Sequence, residues 1–217
     1  VRTRTVPTYH QARYLSRNPE DIAAPFDTLA GNEGREEVFD TLTDIASAME
    51  EAREDYEAIE EEVLSGKPAE ARNSFREAID AFDRERERFE TGIDRLRTDE
   101  RAYDAFTMTN QAFADLGYDR WRTFQIVFIV MTVPDMLAQA ETSDGPPAIS
   151  PQDERATDWK QREPPEDLAP DVDFDHYLDA ADVVYFPTGG GKTEAYFGLV
   201  VFTAFHDRLR GKQFGMT

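Results

Sequence analysis

The sequence predicts a mainly α-helical chain that leads into the start of an α/β lobe. Three observations support this fold class: two long apolar heptad patterns, a later apolar and aromatic helix, and a β-branched segment followed by a glycine loop and another helix. The content of 40% hydrophobic and 32% charged residues is typical of a folded chain with a heavily solvated surface.

The first segment, residues 1–34, contains Pro, Asn and Gly at irregular intervals and has no sustained apolar periodicity. This pattern predicts an irregular lead-in that lies over another part of the fold.

Residues 35–117 predict a helical hairpin. The first apolar seam recurs without interruption at heptad spacing, which indicates one long helix: Val38, Leu42, Ile45, Met49, Ala52, Tyr56, Ile59 and Val63. The second seam consists of Phe75, Ile79, Phe82, Phe89, Ile93, Leu96 and Tyr103. Arg86 and Glu100 take two positions of this seam, and Gly92 lies in its middle. A short connection with Gly and Pro separates the helices, so they should pair antiparallel, either as a docking arm or as an ordinary packed bundle.

Three further segments follow the hairpin. A helix is expected over 102–116, after a break near Thr98. Residues 118–140 include an aromatic, almost uncharged stretch that predicts a helix buried on most sides. Residues 141–175 are acidic and rich in proline, which predicts a loosely attached loop or a plain solvated linker.

Residues 176–217 contain a short β-branched run, the sequence PTGGGKT at Pro187–Thr193, and an apolar helix. Consecutive glycines can turn backbone N–H groups toward a phosphate, and the following helix adds its free amides and dipole. The predicted cradle is formed by Thr188, Gly189, Gly190 and Gly191. Lys192 would contact the β and γ phosphates of ATP, and Thr193 would bind Mg²⁺, so these two residues are the predicted catalytic pair. The pattern predicts the first strand, P-loop and helix of a RecA-like NTPase domain.

The longer segment FPTGGGKTEAYFGL, Phe186–Leu199, resembles motif I of the large helicase subunit of DISARM-type anti-phage systems, which belongs to helicase superfamily 2. Two upstream segments are also similar to that family: AFTMTNQAF at Ala105–Phe113 and WRTFQIVFIVMTVPDM at Trp121–Met136. The resemblance implies ATP hydrolysis coupled to movement along DNA, a role in antiviral defence, and a partner subunit.

The resemblance also implies a role for Gln125. In helicases of this superfamily, a Gln ahead of motif I holds adenine, so Gln125 would hydrogen-bond the base and Trp121 or Phe124 would stack nearby. The sequence departs from the family pattern by placing Thr123 where Pro is usual. The alternative is that Gln125 begins a helix and its aromatic neighbours fill the core.

Charge and composition narrow the class of protein. The chain has a net charge of −21, with 45 acidic residues against 24 Lys and Arg. Such a surface suits a cytoplasm with multimolar salt, which predicts a halophilic source and makes the charge uninformative about partners. The absence of cysteine excludes disulfides, thiolate metal sites and a cysteine nucleophile. The apolar stretch 124–133 is too short to cross a membrane, and no signal peptide is evident, so we expect a cytoplasmic protein with no membrane partner.

The residues that ATP hydrolysis requires in such enzymes have no place between Lys192 and Thr217. They are an acidic strand motif, a water-positioning residue and arginine fingers. We therefore expect a fragment of an ATP-dependent DNA helicase or translocase that is inactive by itself. Glu194 is assigned no catalytic role. Two alternatives stay open: a P-loop ATPase of another kind, and a coiled-coil interaction module with a vestigial P-loop.

Overall fold

The structure is a computed structural model that describes residues 22–142 and 191–211, with the side chains of 139–142 excepted. Within these ranges the chain is mainly helical and contains one small antiparallel sheet, which confirms the mainly α part of the predicted fold class. The predicted acidic loop and the strand ahead of the glycine loop lie outside the described residues.

The heptad seams form the predicted hairpin. Helix α2 (Arg35–Ala58) packs against helix α4 (Ala69–Thr98), and a short helix α3 (Glu60–Leu64) lies between them. The prediction of one uninterrupted first helix is wrong, because the helix breaks at Ile59. Three carboxylates occupy the first turn of α3, where negative charge stabilises a new helix N-terminus.

The charged residues that interrupt the second seam pair across the hairpin. The guanidinium of Arg86 lies 3.0 Å from the carboxylate of Glu50 on α2, and it also contacts Asp83 and Glu90. Glu100 accepts two hydrogen bonds from Arg35, the first residue of α2, at 2.9 and 2.8 Å. Both interruptions therefore join helices rather than disturb them.

Only the inner half of the α2 seam is buried. Val38, Leu42 and Ile45 are at most 1% exposed, whereas Tyr56, Ile59 and Val63 near the tip are 41–48% exposed. The hairpin therefore extends beyond the core and carries an exposed apolar stripe.

Helix α5 (Glu100–Asp115) begins directly after α4. Asp99 separates the two helices, and its carboxylate accepts hydrogen bonds from the backbone N–H groups of Arg101 and Ala102. The predicted break near Thr98 is confirmed. Helix α6 (Thr123–Thr142) follows and packs most extensively against α4.

A small sheet ties the beginning of the described chain to the start of α6. Strand β1 (Ala24–Pro25) pairs antiparallel with strand β2 (Arg120–Trp121), and helix α1 (Phe26–Leu29) follows β1. Phe26 and Leu29 are buried in the core. The predicted irregular lead-in is therefore wrong for residues 24–29, because elements this short leave no periodicity in the sequence.

Helix α7 (Lys192–Leu209) packs against α5 and α6 and completes the described core. Ala195, Gly198, Phe202 and His206 form its buried face. Among the residues that the structure describes, no helix is long and apolar enough to cross a membrane.

Candidate nucleotide-binding site

The first turn of α7 holds the end of the PTGGGKT sequence. Gly191 is the N-cap residue and has a left-handed backbone, with φ 88° and ψ 25°, and the N-cap makes no side-chain hydrogen bond. Lys192 and Thr193 are the first two helical residues, the former half-buried and the latter exposed. Thr188, Gly189 and Gly190 lie outside the described residues. The described end of the loop thus presents a helix N-terminus without a side-chain cap.

Gln125 lies beside this helix N-terminus. Its Nε2 donates a hydrogen bond of 2.7 Å to the carbonyl oxygen of Gly191, and its Oε1 accepts one of 2.8 Å from the backbone N–H of Arg122. The side chain is 5% exposed. The structure therefore brings together two predicted site residues that are 66 positions apart in the sequence.

The space around Gly191 is filled by side chains. A Cβ at this position would lie 2.6 Å from Nε2 of Gln125, 3.4 Å from a carboxylate oxygen of Glu194 and 3.7 Å from Nε of Arg122. Glycine is therefore required here both for its backbone conformation and for its size.

Arg122 lies at the site, although the sequence pattern predicts no role for it. Its guanidinium lies against Gly191, on the same side as Gln125. A cation in this position, close to Lys192, adds positive charge to the end of the helix that would face a phosphate. The only sequence clue is its place in the WRTFQ segment.

Trp121 does not belong to the site. The indole is 3% exposed and packs against Phe26 and Phe113, with ring centroids 4.8 and 4.5 Å away. Its Nε1 donates a 2.7 Å hydrogen bond to Oδ1 of Asn110. The expectation that Trp121 stacks on a base is therefore wrong, and the core interpretation applies to it. Phe124, the other candidate, is half-buried.

The Trp121–Asn110 hydrogen bond joins the two upstream segments that carry the family resemblance. Asn110 is 1% exposed, and its Nδ2 donates to the carbonyl oxygen of Phe106 within α5. Each polar atom of these two side chains thus has a partner, which removes the cost of burying it. Their structural role is to fix α5 against β2.

The described residues fit a phosphate group with an associated Mg²⁺. The helix N-terminus, Lys192 and the nearby Arg122 favour negative charge at the start of α7. Thr193 offers an exposed hydroxyl, which is the usual P-loop ligand to Mg²⁺. Within 22–142 and 191–211 no group of three or more His, Cys, Asp or Glu side chains is placed to hold a metal ion.

Comparison of the chain with known protein families, curated proteins and solved structures gives no match.

Proposed function

We propose that the chain binds Mg²⁺-ATP through its PTGGGKT loop and is part of an ATP-dependent DNA translocase of the DISARM-helicase type. The observation that carries the ATP part is the contact between Gln125 and Gly191 at the uncapped start of α7. It holds the last glycine of the loop in a left-handed conformation directly before Lys192.

Each site residue has a definite part in this proposal. Backbone N–H groups of Gly189, Gly190 and Gly191 would bind the phosphates, since no Cβ obstructs their approach. Lys192 would contact the β and γ phosphates, and Thr193 would ligate the Mg²⁺ that bridges them. Bound Mg²⁺ neutralises charge on the phosphates.

Gln125 has two atoms with hydrogen-bonding capacity to spare. One N–H of its Nε2 is used by Gly191 and one lone pair of its Oε1 by Arg122. A primary amide has a second N–H and a second lone pair, which could pair with N1 or N7 and the amino group of adenine. The proposed role in adenine binding is therefore compatible with the observed contacts.

Helix α7 supports an α/β lobe because it is apolar on two opposite sides. One side packs against α5 and α6 through Phe202 and its neighbours. Phe197 and Val200 on the other side are 57 and 60% exposed, and Tyr196, at the edge between the two sides, contacts Phe128 of α6. At about 100° per residue, this second stripe lies nearly opposite the buried one. A helix with two apolar sides is expected between two layers, as when a sheet covers the second side.

The DNA, the defence role and the partner subunit are proposed from the resemblance of three segments to the DISARM helicase. Two of those segments meet in the core through Trp121 and Asn110, and the second and third meet through Gln125 and Gly191. Conversion of ATP turnover into movement along DNA requires the acidic strand motif and arginine fingers of a longer protein. In that protein, Lys192→Ala should abolish DNA-stimulated ATP turnover.

The ATP part is tested by titrating the chain with Mg²⁺-ATP in a calorimeter at molar salt. Lys192→Ala should weaken binding at least about tenfold, since it removes a charge-assisted hydrogen bond worth about 1.5–3 kcal/mol. Lys67→Ala, in the exposed hairpin connection, is the matched control and should bind like wild type. Equal affinities for the wild type and Lys192→Ala, with unchanged far-UV circular dichroism, would refute the proposed phosphate site.

A further inference from the structure

A groove of about 310 Å³ lies between the hairpin and the start of α6. Its walls are mainly apolar, and two carboxylates stand at its side; the lining side chains used below are Ile22, Met49, Glu51, Asp55, Tyr56 and Phe82. Tyr56 and Phe82 meet edge to face, with ring centroids 6.2 Å apart, and form the end of the groove nearest the hairpin tip. Ile59 and Val63, which are 41 and 48% exposed, follow Tyr56 at heptad spacing toward the tip of the hairpin.

The outer half of the hairpin is strongly acidic. Residues 50–63 contain eight carboxylates and one arginine. Arginines neutralise three of these carboxylates: Arg53 and Arg86 contact Glu50, Arg53 also contacts Glu57, and Arg76 of α4 contacts Glu60. The other five, Glu51, Glu54, Asp55, Glu61 and Glu62, leave an excess of negative charge along this side of the hairpin. An occupant of this surface should therefore combine apolar side chains with positive charge.

Residues 1–19 have this composition. They contain four arginines, at positions 2, 4, 13 and 17, and no carboxylate. The rest of the chain is dominated by acid, since the 217 residues have a net charge of −21. Tyr9, Tyr14 and Leu15 lie among the arginines. Charge and apolar content of this segment are thus complementary to the hairpin surface.

The segment is also attached to the chain beside the groove. Ile22, the first residue that the structure describes, lines its wall. A chain of about 20 residues can reach up to about 65 Å, whereas the helical path from Met49 to Leu64 measures about 22 Å. A tether this short gives an effective concentration in the millimolar range, so weak contacts suffice for binding.

We propose that residues 1–19 bind in this groove and along the acidic outer half of the hairpin. Apolar side chains of the segment fill the groove beside Met49 and Phe82, and its arginines face the carboxylates of Glu51 and Asp55. This interaction is independent of the proposed nucleotide site.

Other occupants fit the surface less well. A second hairpin would bring two strongly acidic surfaces together, which costs energy through like-charge repulsion. Nucleic acid is repelled by the same carboxylates, because its phosphates are negative. The tethered basic segment is the occupant that the charge of the groove and the position of Ile22 favour together.

The absence of cysteine makes the proposal directly testable by cross-linking in the full chain. One variant carries Ser16→Cys with Ala52→Cys in the groove wall, which leaves the carboxylates of the groove in place. The control carries Ser16→Cys with Arg208→Cys, an exposed position in the last turn of α7. With a short bismaleimide, the groove pair should cross-link within one chain about tenfold faster than the control pair, since docking raises the local concentration.

Charge reversal tests whether the carboxylates take part. Glu54→Lys with Asp55→Lys, added to the groove pair, should lower its cross-linking rate toward that of the control pair. Asp40→Lys with Asp44→Lys makes the same charge change at the inner end of α2, on exposed positions, and should leave the rate unchanged. Circular dichroism of each variant verifies that the helices are intact.

Three results would overturn the proposal. The first is equal rates for the groove and control pairs. The second is cross-linking mainly between chains, which would assign the groove to a second copy. The third combines two observations: the groove pair cross-links at the control rate, and an oligonucleotide binds the wild type but not a variant that lacks the four arginines. That result would assign the segment to nucleic acid.

Discussion

Nε2 of Gln125 donates a 2.7 Å hydrogen bond to the carbonyl oxygen of Gly191, which joins the first turn of α6 to the residue before Lys192. The amide is oriented by a second hydrogen bond from the backbone N–H of Arg122 to its Oε1. Because Gln125 is 5% exposed, this arrangement is largely shielded from water. The position of the α7 N-terminus therefore depends on a residue at the start of another helix.

The first prediction concerns this contact. Gln125→Ala leaves the Gly191 carbonyl and the Arg122 N–H without their partner and should lower the free energy of unfolding by about 1–3 kcal/mol. It should also weaken Mg²⁺-ATP binding, because the last glycine of the loop loses its support. Urea unfolding and calorimetric titration measure the two effects. Gln111→Ala is the control, since the side chain of Gln111 makes its hydrogen bonds at the surface, with the side chains of Asn32 and Asp115. Loss of stability with unchanged ATP affinity would limit Gln125 to a structural role.

The second prediction concerns the size of the residue at Gly191. Gly191→Ala should reduce both stability and ATP affinity, because a left-handed backbone costs a non-glycine residue about 1–2 kcal/mol and the new Cβ would lie 2.6 Å from Nε2 of Gln125.

Gly117→Ala is a matched control that separates the two causes. Gly117 is also left-handed, with φ 84°, but a Cβ there meets nothing within 4 Å. It should show the backbone cost alone in urea unfolding. If the two alanine variants lose the same stability and bind ATP equally, the contact with Gln125 has no effect on the loop.

The sequence-based predictions succeeded where long periodic patterns determine structure. The heptad seams placed α2 and α4, and the polar Thr98–Asp99 junction between apolar patterns marked the break before α5. Short elements were missed: β1 and α1 contain too few residues for any period to appear.

The sequence alone also does not reveal which residues contact each other when they are far apart along the chain. Glu100 appears as a defect in a seam until Arg35, 65 positions earlier, is seen to bind it. Gln125 could be marked as a candidate by resemblance, yet its bond to Gly191 depends on how α6 and α7 pack. The sequence allowed Trp121 either to stack on a base or to pack in the core, and the hydrogen bond from its indole to Asn110 supports the core position.

The third prediction concerns Gly92, which looks like a weak point in its seam. Helices α4 and α6 cross here so closely that an added Cβ would overlap the carbonyl oxygen of Val130. Replacing Gly by Ala within a helix normally stabilises by about 1 kcal/mol. Gly92→Ala should instead destabilise by several kcal/mol, on the order of other severe overpacking changes, because the obstacle is backbone.

Gly198→Ala serves as the comparison for Gly92. Its Cβ would lie 2.6 Å from Cδ1 of Ile129 and 3.0 Å from the ring of Trp121, which are side-chain atoms and can shift more readily than the backbone carbonyl at Val130. Its loss of stability in urea unfolding should therefore be clearly smaller. A Gly92→Ala variant as stable as the wild type would contradict the close approach of α4 to the backbone of α6.

The fourth prediction concerns pH and His206. The imidazole is 6% exposed, stacks on Phe202 with centroids 6.0 Å apart, and lines a cavity with Arg95, Arg101 and Arg210. Burial lowers the pKa of His206, and Arg210 lowers it further, while the carboxylates of Asp99 and Asp207 oppose the shift.

The unfolded chain protonates His206 near its ordinary pKa of about 6.5, whereas the folded chain resists protonation to lower pH. The contribution of His206 to the free energy of unfolding is therefore fully present above about pH 6.5 and is lost as the pH falls through the folded pKa. His206→Phe removes this titration and keeps an aromatic ring beside Phe202. The titration of carboxylates and the repulsion between like charges change with pH equally in both proteins. The difference in the free energy of unfolding between wild type and variant, measured in urea from pH 8 to pH 5, therefore reports the contribution of His206. This difference should fall as the pH decreases, and parallel stability curves would show that His206 titrates alike in the folded and unfolded chains.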